Sequence, residues 1–120
     1  MTKKVLIVED YEDARSFMKT LVESYGYQAL EARNGEEAIK IAHRDQPDLI
    51  LMDLEMPIID GLATTRVIRG LDEEARVPII AVTAYGIDDV QALEAGCDEL
   101  IFKPLDVDSL EPLLSKYLIQ

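Results

Sequence analysis

Five polar side chains follow four apolar runs at the point where each run ends. They are Glu9 and Asp10 after Val5–Val8, Asp53 after Leu49–Met52, Thr83 after Ile79–Val82, and Lys103 after Leu100–Phe102. Apolar runs of this length, bounded by turn residues, are typical of buried strands. Open parallel sheets place their chemistry just beyond the carboxyl ends of the strands. We therefore expect one small acidic site, with a hydroxyl group and an ammonium group facing it.

The three acids of this set indicate a divalent cation. Glu9, Asp10 and Asp53 would lie within a few ångströms of one another, and such a cluster is unfavourable unless a cation neutralises it. Oxygen ligands with room for water suit Mg²⁺ better than Zn²⁺, and one histidine with one cysteine makes no zinc ligand set. Alternatively, Glu9 and Asp10 would only cap the following helix. Capping leaves Asp53, Thr83 and Lys103 unexplained, so the set favours Mg²⁺.

Asp53 is the candidate nucleophile of the site. A carboxylate held beside Mg²⁺ can attack phosphorus and form an acyl phosphate. The metal ion and Lys103 would offset negative charge on the phosphoryl oxygens, and the Thr83 hydroxyl would donate a hydrogen bond to one of them. The residue types therefore predict phosphoryl transfer to Asp53.

Length and composition limit the class of protein. A chain of 120 residues predicts one domain, residues 1–120. Its formal charge of −12, from 12 basic and 24 acidic residues, argues against direct binding to nucleic acid or to anionic membranes. No apolar stretch reaches the roughly 18 residues of a transmembrane helix. The single cysteine and the lack of a signal-peptide pattern after Met1 favour the cytoplasm.

Strand and helix patterns alternate along the whole chain. This alternation predicts an α/β fold of five βα units, with a parallel sheet covered on both faces. The first helix should stop at Gly26, and the second should open with a capping box at Asn34 and Glu37. The third, over about residues 62–69, has the weakest pattern.

Helical periodicity also predicts which side chains face the core. In the first helix these are Ala14, Phe17, Met18, Leu21, Val22 and Tyr25. Val90 and Leu93 mark the fourth helix, which should end near Gly96. In the last helix they are Leu110, Leu113, Leu114, Tyr117 and Leu118. Pro112 is expected in the first turn of that helix, because proline lacks an N–H group.

Together these motifs resemble the receiver domain of two-component response regulators, in the stand-alone form typical of chemotaxis regulators. The matching segments are Val8–Asp10, Leu51–Pro57, Asp60–Gly61, Val82–Ala84 and Lys103–Pro104. They cover the whole chain in the order and spacing of the family. The resemblance implies a flavodoxin-like (βα)5 fold, a doubly wound parallel sheet of five strands in the order 2-1-3-4-5.

The resemblance also implies the role of each acid. Asp53 would accept a phosphoryl group from a histidine kinase or a histidine phosphotransfer protein. Asp10 and Asp53 would ligate Mg²⁺ directly with the backbone carbonyl of Glu55, and Glu9 would act through water. By the same resemblance the activity is limited to self-phosphotransfer and slow autodephosphorylation. We therefore expect no separate enzymatic substrate.

Three further expectations follow from the family. Thr83 and Lys103 would bind the phosphoryl oxygens, and the Lys103–Pro104 peptide bond would be cis. Many members carry a tyrosine or phenylalanine where this chain has Leu100. The aromatic switch is therefore missing or rebuilt with Phe102 or Tyr85, although ordinary packing better explains both rings.

The expected output surface is formed by the fourth helix, the fifth strand and the fifth helix. Without an aromatic at Leu100 the rearrangement should be small and carried mainly by the loop 83–88. Asp89, Glu94 and Glu99 are candidate exposed acids of this face and would suit a basic partner.

Three other classes of protein share parts of the pattern. A phosphatase of the haloacid-dehalogenase type also uses an aspartyl nucleophile, but it needs a second Asp where this chain has Glu55. A pseudo-receiver acting only as a binding module would not need the full set of acids, Thr83 and Lys103. A flavin carrier with this fold would need a phosphate-cradling loop after the first strand, which the sequence lacks.

Overall fold

The computed structural model describes residues 2–56, 60–71, 76–84 and 89–119. Strands and helices alternate through the described residues. Their order is β1 (Lys4–Val8), α1 (Glu12–Ser24), β2 (Gln28–Ala32), α2 (Gly35–Asp45), β3 (Leu49–Asp53), α3 (Gly61–Leu71), β4 (Ile79–Thr83), α4 (Asp89–Ala95), β5 (Glu99–Phe102) and α5 (Val107–Leu118). The expectations for Pro57, Tyr85 and the loop residues 85–88 fall outside the described residues.

The five strands form one parallel sheet in the order β2-β1-β3-β4-β5. The predicted fold class and strand order are therefore confirmed. Every residue of β3 and β4 is buried, which explains why these strands are continuously apolar instead of alternating. A parallel sheet covered by helices on both faces removes all such side chains from water.

Two hydrophobic clusters lie on opposite faces of the sheet. Val5 and Ile7 of β1 pack with α1 and α5, whereas Leu6 and Val8 pack with α2, α3 and α4. This division follows from the two-residue period of a strand, which turns successive side chains to opposite faces. The helices thereby cover both faces of β1, β3 and β4, the three inner strands of the sheet, whose carboxyl ends lead into the candidate site.

The predicted helix boundaries at Gly26 and Asn34 are confirmed. Gly26 has a φ of +92°, a left-handed conformation that favours glycine just after a helix. The Asn34 side chain accepts a 2.8 Å hydrogen bond from the Glu37 backbone N–H. The Glu37 carboxylate accepts from the backbone N–H of Arg33 at 2.8 Å, one residue before the expected capping-box donor. The cap is therefore present, with a shifted return hydrogen bond.

Two side chains depart from the positions that the sequence predicts. Phe17 is 51% exposed and lies outside the core, so α1 buries a narrower stripe than expected. The fourth helix is present and ends at Ala95, next to Gly96, as predicted, and its Val90 and Leu93 are exposed. Pro112 lies inside α5, beyond its first turn.

Among the described residues, none belongs to a helix with the length and apolar character needed to span a bilayer.

Candidate functional site

The carboxyl ends of four parallel strands bring the predicted side chains to one edge of the sheet. Asp53 and Thr83 are the last residues of β3 and β4, and Lys103 directly follows β5. The register pairs Asp53 with Val82 and Thr83 with Phe102, so the three strands end at nearly the same level. Glu9 and Asp10 follow β1, which pairs with the other side of β3. The sheet therefore assembles the expected set around Asp53.

The three acids form a compact cluster. One carboxylate oxygen each from Glu9, Asp10 and Asp53 lies within 4.8 Å of the others. Glu9 and Asp53 are each 1% exposed, whereas Asp10 is exposed at the mouth of the site. Burial and the neighbouring Glu9 raise the pKa of Asp10 above its usual value. The cluster thus concentrates negative charge at the carboxyl ends of β1 and β3.

Lys103 supplies the positive charge of the site. Its ammonium nitrogen lies 3.1 Å from Glu9 Oε1 and 3.4 Å from Asp53 Oδ1. Burial opposes the charged form of Lys103, but the attraction of Asp53 and Glu9 outweighs it and raises the pKa of the ammonium group. The Lys103–Pro104 bond is cis, as predicted. One cation faces three acids, so the described side chains leave the cluster net negative.

The two oxygens of Asp53 differ in their partners. Oδ1 accepts a 3.0 Å hydrogen bond from the Glu55 backbone N–H and lies beside Lys103. Oδ2 is buried and has no hydrogen-bond partner. A buried acceptor without a partner costs about 1–3 kcal/mol, and a bound ion or a catalytic role is one explanation for such an atom in a native protein. The free oxygen, the two neighbouring acids and the absence of sulfur or imidazole from this donor set fit Mg²⁺.

Thr83 lies at the same edge, but its hydroxyl has a partner that the sequence did not predict. Thr83 is fully buried and donates a 2.6 Å hydrogen bond to Glu55 Oε1. The backbone N–H of Ala84 donates to the same oxygen at 3.1 Å. The resemblance assigned only the backbone carbonyl of Glu55 to the site. Its side chain therefore belongs to the candidate site as well.

Gly61 has a role that the sequence motif alone did not explain. A Cβ atom at this position would lie 2.6 Å from the Leu54 Cα and closer still to the carbonyl oxygen of Asp53. The Gly61 backbone N–H donates to the Leu54 carbonyl at 3.3 Å. Next to it, the Asp60 carboxylate accepts from the Ala63 N–H at 2.8 Å and so caps α3. The Asp60–Gly61 pair thus packs the start of α3 directly against Asp53 and Leu54.

The family position of the aromatic switch holds an aliphatic side chain. Leu100 is partly buried against the cluster of α2, α3 and α4. Phe102 is 54% exposed, and Tyr85 is outside the described residues. Phe102 therefore does not fill the interior place of the missing aromatic in this structure.

Comparison with known proteins shows the family. The model of the response regulator receiver domain matches residues 5–115. The polar-differentiation response regulator DivK of Brucella anthropi is 38% identical over 120 residues, which cover 98% of each chain. The chain therefore belongs to the response regulator receiver domain family. Accepting a phosphoryl group in two-component signalling is the function of that family.

Solved structures agree with this membership. The receiver domain of sensor histidine kinase PA1611 from Pseudomonas aeruginosa, with Mg²⁺ in its active-site cleft, matches with 32% identity, a TM-score of 0.88 and coverage of 98% of each chain. A co-crystal structure of the Saccharomyces cerevisiae phosphotransfer protein Ypd1 with the receiver domain of Ssk1 matches with 27% identity and a TM-score of 0.90. This match covers 97% of the present chain and 88% of that chain. Members of this family bind Mg²⁺ in an acidic pocket, and an acidic cluster is present here.

Proposed function

We propose that Asp53 is the phosphoacceptor of this receiver domain. The observation that carries the proposal is the buried Oδ2 of Asp53, which has no hydrogen-bond partner and lies in the acidic cluster. In the transfer, a carboxylate oxygen of Asp53 attacks phosphorus, the P–N bond of a phosphohistidine breaks, and its electron pair stays on the imidazole nitrogen. The product is an aspartyl phosphate.

The neighbouring residues hold the charges of this reaction. Asp10, Asp53 and the Glu55 carbonyl would ligate Mg²⁺ directly, and Glu9 through water. When bound, Mg²⁺ would neutralise the acids and the phosphoryl oxygens. Lys103, already 3.4 Å from Asp53 Oδ1, is placed to pair with a phosphoryl oxygen.

The phosphoryl donor is a histidine kinase or a histidine phosphotransfer protein. An apolar recess of about 360 Å³ adjoins the acceptor and is lined by Glu9, Ala14, Phe17, Met18, Lys103, Pro104 and Leu105. A donor must bring its histidine to Asp53, and its surface would then cover this recess. This contact accounts for the exposure of Phe17, which lines the recess instead of packing in the core. Phe17→Ser should slow transfer from a protein donor and leave transfer from acetyl phosphate unchanged.

The signal leaves through the face of α4, β5 and α5. Leu100 has no ring to turn inward, so the rearrangement should stay small and centre on the loop 83–88. Glu94 is exposed on this face and available to a basic partner. Glu99 is less available than its sequence position indicated, because its carboxylate accepts hydrogen bonds from Lys116 at 2.8 Å and Tyr117 at 2.6 Å.

The remaining parts of the proposal concern the whole chain. Residues 1–120 act as one receiver domain in the cytoplasm, with self-phosphotransfer and slow autodephosphorylation as the only reactions. With a net charge of −12, the chain binds neither nucleic acid nor membrane directly. A phosphatase of the haloacid-dehalogenase type is disfavoured, because the Glu55 carboxylate is held by Thr83 and Ala84 and is not poised as a general acid.

Acetyl phosphate with Mg²⁺, followed by intact mass measurement, tests this function. The wild type should gain one phosphoryl group, and Asp53→Asn should gain none. Asp10→Ala and wild type in excess EDTA should both lose most of the uptake. Stoichiometric labelling of Asp53→Asn, or undiminished labelling in EDTA, would contradict the proposal. Continuous release of phosphate from an unrelated phosphomonoester would instead indicate a phosphatase.

A further inference from the structure

The Glu55 carboxylate lies where two hydrogen-bond donors converge. The Thr83 hydroxyl and the Ala84 backbone N–H both donate to Glu55 Oε1, at 2.6 and 3.1 Å. Thr83 is fully buried, whereas Glu55 is exposed overall. The side chain therefore reaches from the surface to bind a buried hydroxyl at the edge of the site.

A pair of donors aimed at one anionic oxygen is a small oxyanion site. Hydrogen bonds to a charged oxygen are about twice as strong as neutral ones, and a phosphoryl oxygen would be held by the same kind of donors. Glu55 itself is anchored next to the acceptor, because its backbone N–H donates to Asp53 Oδ1 at 3.0 Å. The donors that a phosphoryl oxygen on Asp53 needs are therefore occupied by an acid from the chain itself.

We propose that Glu55 is a built-in competitor of the phosphoryl group, and that phosphorylation must displace its carboxylate from Thr83 and Ala84. This inference rests on the proposed function of Asp53 and adds a residue that sets the affinity of the site for a phosphoryl group. In the unphosphorylated chain Glu55 holds the end of β4 through two hydrogen bonds. On phosphorylation the same donors turn to the phosphoryl oxygen, and the Glu55 side chain moves into solvent.

Competition of this kind lowers the apparent affinity for the phosphoryl group. A ligand that binds only the released form is weakened by the fraction of molecules in that form. Hydrogen bonds to a charged group are strong enough to make that fraction small. Removing the Glu55 carboxylate should therefore tighten binding of a phosphoryl analogue by roughly tenfold.

The first arm of the test needs no phosphorylation. The amide proton of Ala84 should resonate downfield in the wild type, because it donates to a carboxylate, and should move upfield in Glu55→Ala. Amide NMR spectra of the metal-free proteins measure this shift. An Ala84 resonance that is unchanged in Glu55→Ala would overturn the contact on which the proposal stands.

The second arm measures the dissociation constant of beryllofluoride, a phosphoryl analogue, at saturating Mg²⁺ by calorimetry. Glu55→Ala should bind roughly tenfold more tightly than the wild type, and Glu55→Gln, which keeps a neutral acceptor oxygen, should fall between them. Glu55→Asp keeps the charge but is one methylene shorter, so it should behave like Glu55→Ala. Affinity unchanged or weakened in Glu55→Ala, or wild-type affinity in Glu55→Asp, would overturn the proposal.

Two further variants separate the contact from general charge effects. Glu12→Gln removes an exposed acid from the first turn of α1 and leaves the Glu55–Thr83 contact in place. It should change affinity much less than Glu55→Gln, and an equal gain would overturn the proposal. In a Thr83→Ala background the gain from Glu55→Ala should shrink, and an undiminished gain would contradict the displacement of Glu55 from Thr83. If the wild type does not bind the analogue at all, the proposed function of Asp53 is contradicted. If the wild type binds the analogue and the Glu55 variants bind it with the same affinity, only the proposed competition by Glu55 is contradicted.

Discussion

Two carboxylates at opposite edges of the same sheet are treated in opposite ways. Asp98 lies at the edge where β4 and β5 begin, and Asp53 lies at the edge where β3 ends. Asp98 Oδ2 accepts hydrogen bonds from Arg69 at 2.8 Å and from the Ile79 backbone N–H at 2.9 Å, and its Oδ1 lies 3.4 Å from Arg76. Asp53 Oδ2, by contrast, is buried and has no partner.

Asp98 is a structural acid, whereas we propose a functional role for Asp53. Arg69 also donates to the carbonyl oxygens of Gly96 and Val77, so the Asp98 cluster ties α3 to the starts of β4 and β5. The hydrogen bonds of this cluster join neighbouring elements of the fold and so stabilise the folded chain. At the Asp53 edge, three acids lie together and Asp53 Oδ2 has no hydrogen-bond partner, an arrangement that is unfavourable for stability and that suits the proposed binding of a cation and a phosphoryl group.

The largest change in the free energy of unfolding should come from breaking the ion pair between Asp98 and Arg69. Asp98→Asn removes the charge that pairs with Arg69, whose side chain is only 14% exposed. A partly buried guanidinium left without its carboxylate should lower the free energy of unfolding by about 2–4 kcal/mol. Urea denaturation measures the difference. A loss below about 0.5 kcal/mol, the size of an ordinary surface substitution, would show that the cluster contributes little.

A change of opposite sign in the free energy of unfolding is expected for a substitution at Asp53. Asp53→Asn removes one charge from the acidic cluster, so in EDTA it should raise the free energy of unfolding by roughly 1–2 kcal/mol. Mg²⁺ should narrow the gap, because it stabilises the wild type by binding the folded state. Thermal denaturation of both proteins with and without Mg²⁺ tests this. A mutant less stable than the wild type in EDTA would remove the contrast between the two edges.

The smallest effect is expected at a third carboxylate, Glu99. Like the carboxylate of Asp98, it accepts hydrogen bonds from two neighbouring groups, here Lys116 and Tyr117. Burial, together with the hydrogen bond to Glu99, raises the pKa of Tyr117 to about 12. Because the neutral phenol is favoured on folding, its contribution to stability is complete below the ordinary tyrosine pKa of about 10 and is lost as the pH rises toward 12. Tyr117→Phe should therefore flatten the decline of stability between these pH values, as followed by circular dichroism.

Ultraviolet absorbance supplies the control for that prediction. The tyrosine that ionises near pH 12 in the wild type should disappear from the titration of Tyr117→Phe. Loss of an early-ionising tyrosine from the titration would show that the Glu99 contact does not hold the phenol neutral.

The sequence predicted the elements and the contents of the site because both depend on local patterns. Buried parallel strands read as continuous apolar runs, and the residues that follow them must meet at one edge. Asp53, Thr83 and Lys103 are therefore found where strand ends predict them. Even α3, whose pattern was weakest, is present, and it extends beyond the expected residues to Gly61–Leu71.

The sequence could not predict contacts that depend on the path of single side chains. Nothing in the spacing of Glu55 and Thr83 indicates that they share a hydrogen bond, and Asp98 and Arg69 are 29 residues apart. Periodicity also assigned Phe17 to the core, because it cannot measure how wide a stripe each helix buries. The hydrogen-bonded cluster around Asp98 was thus not predicted, whereas the grouping of polar side chains around Asp53 was predicted from residue types.

The most direct test of the proposed function identifies the residue that carries the phosphoryl group. Borohydride reduces an aspartyl phosphate to homoserine, which peptide mass spectrometry can assign to one position. After phosphorylation with Mg²⁺, we predict homoserine at Asp53 and unmodified aspartate at Asp10 and Asp98. Homoserine at either of those positions, or none at Asp53 in a chain that has taken up phosphate, would contradict this prediction.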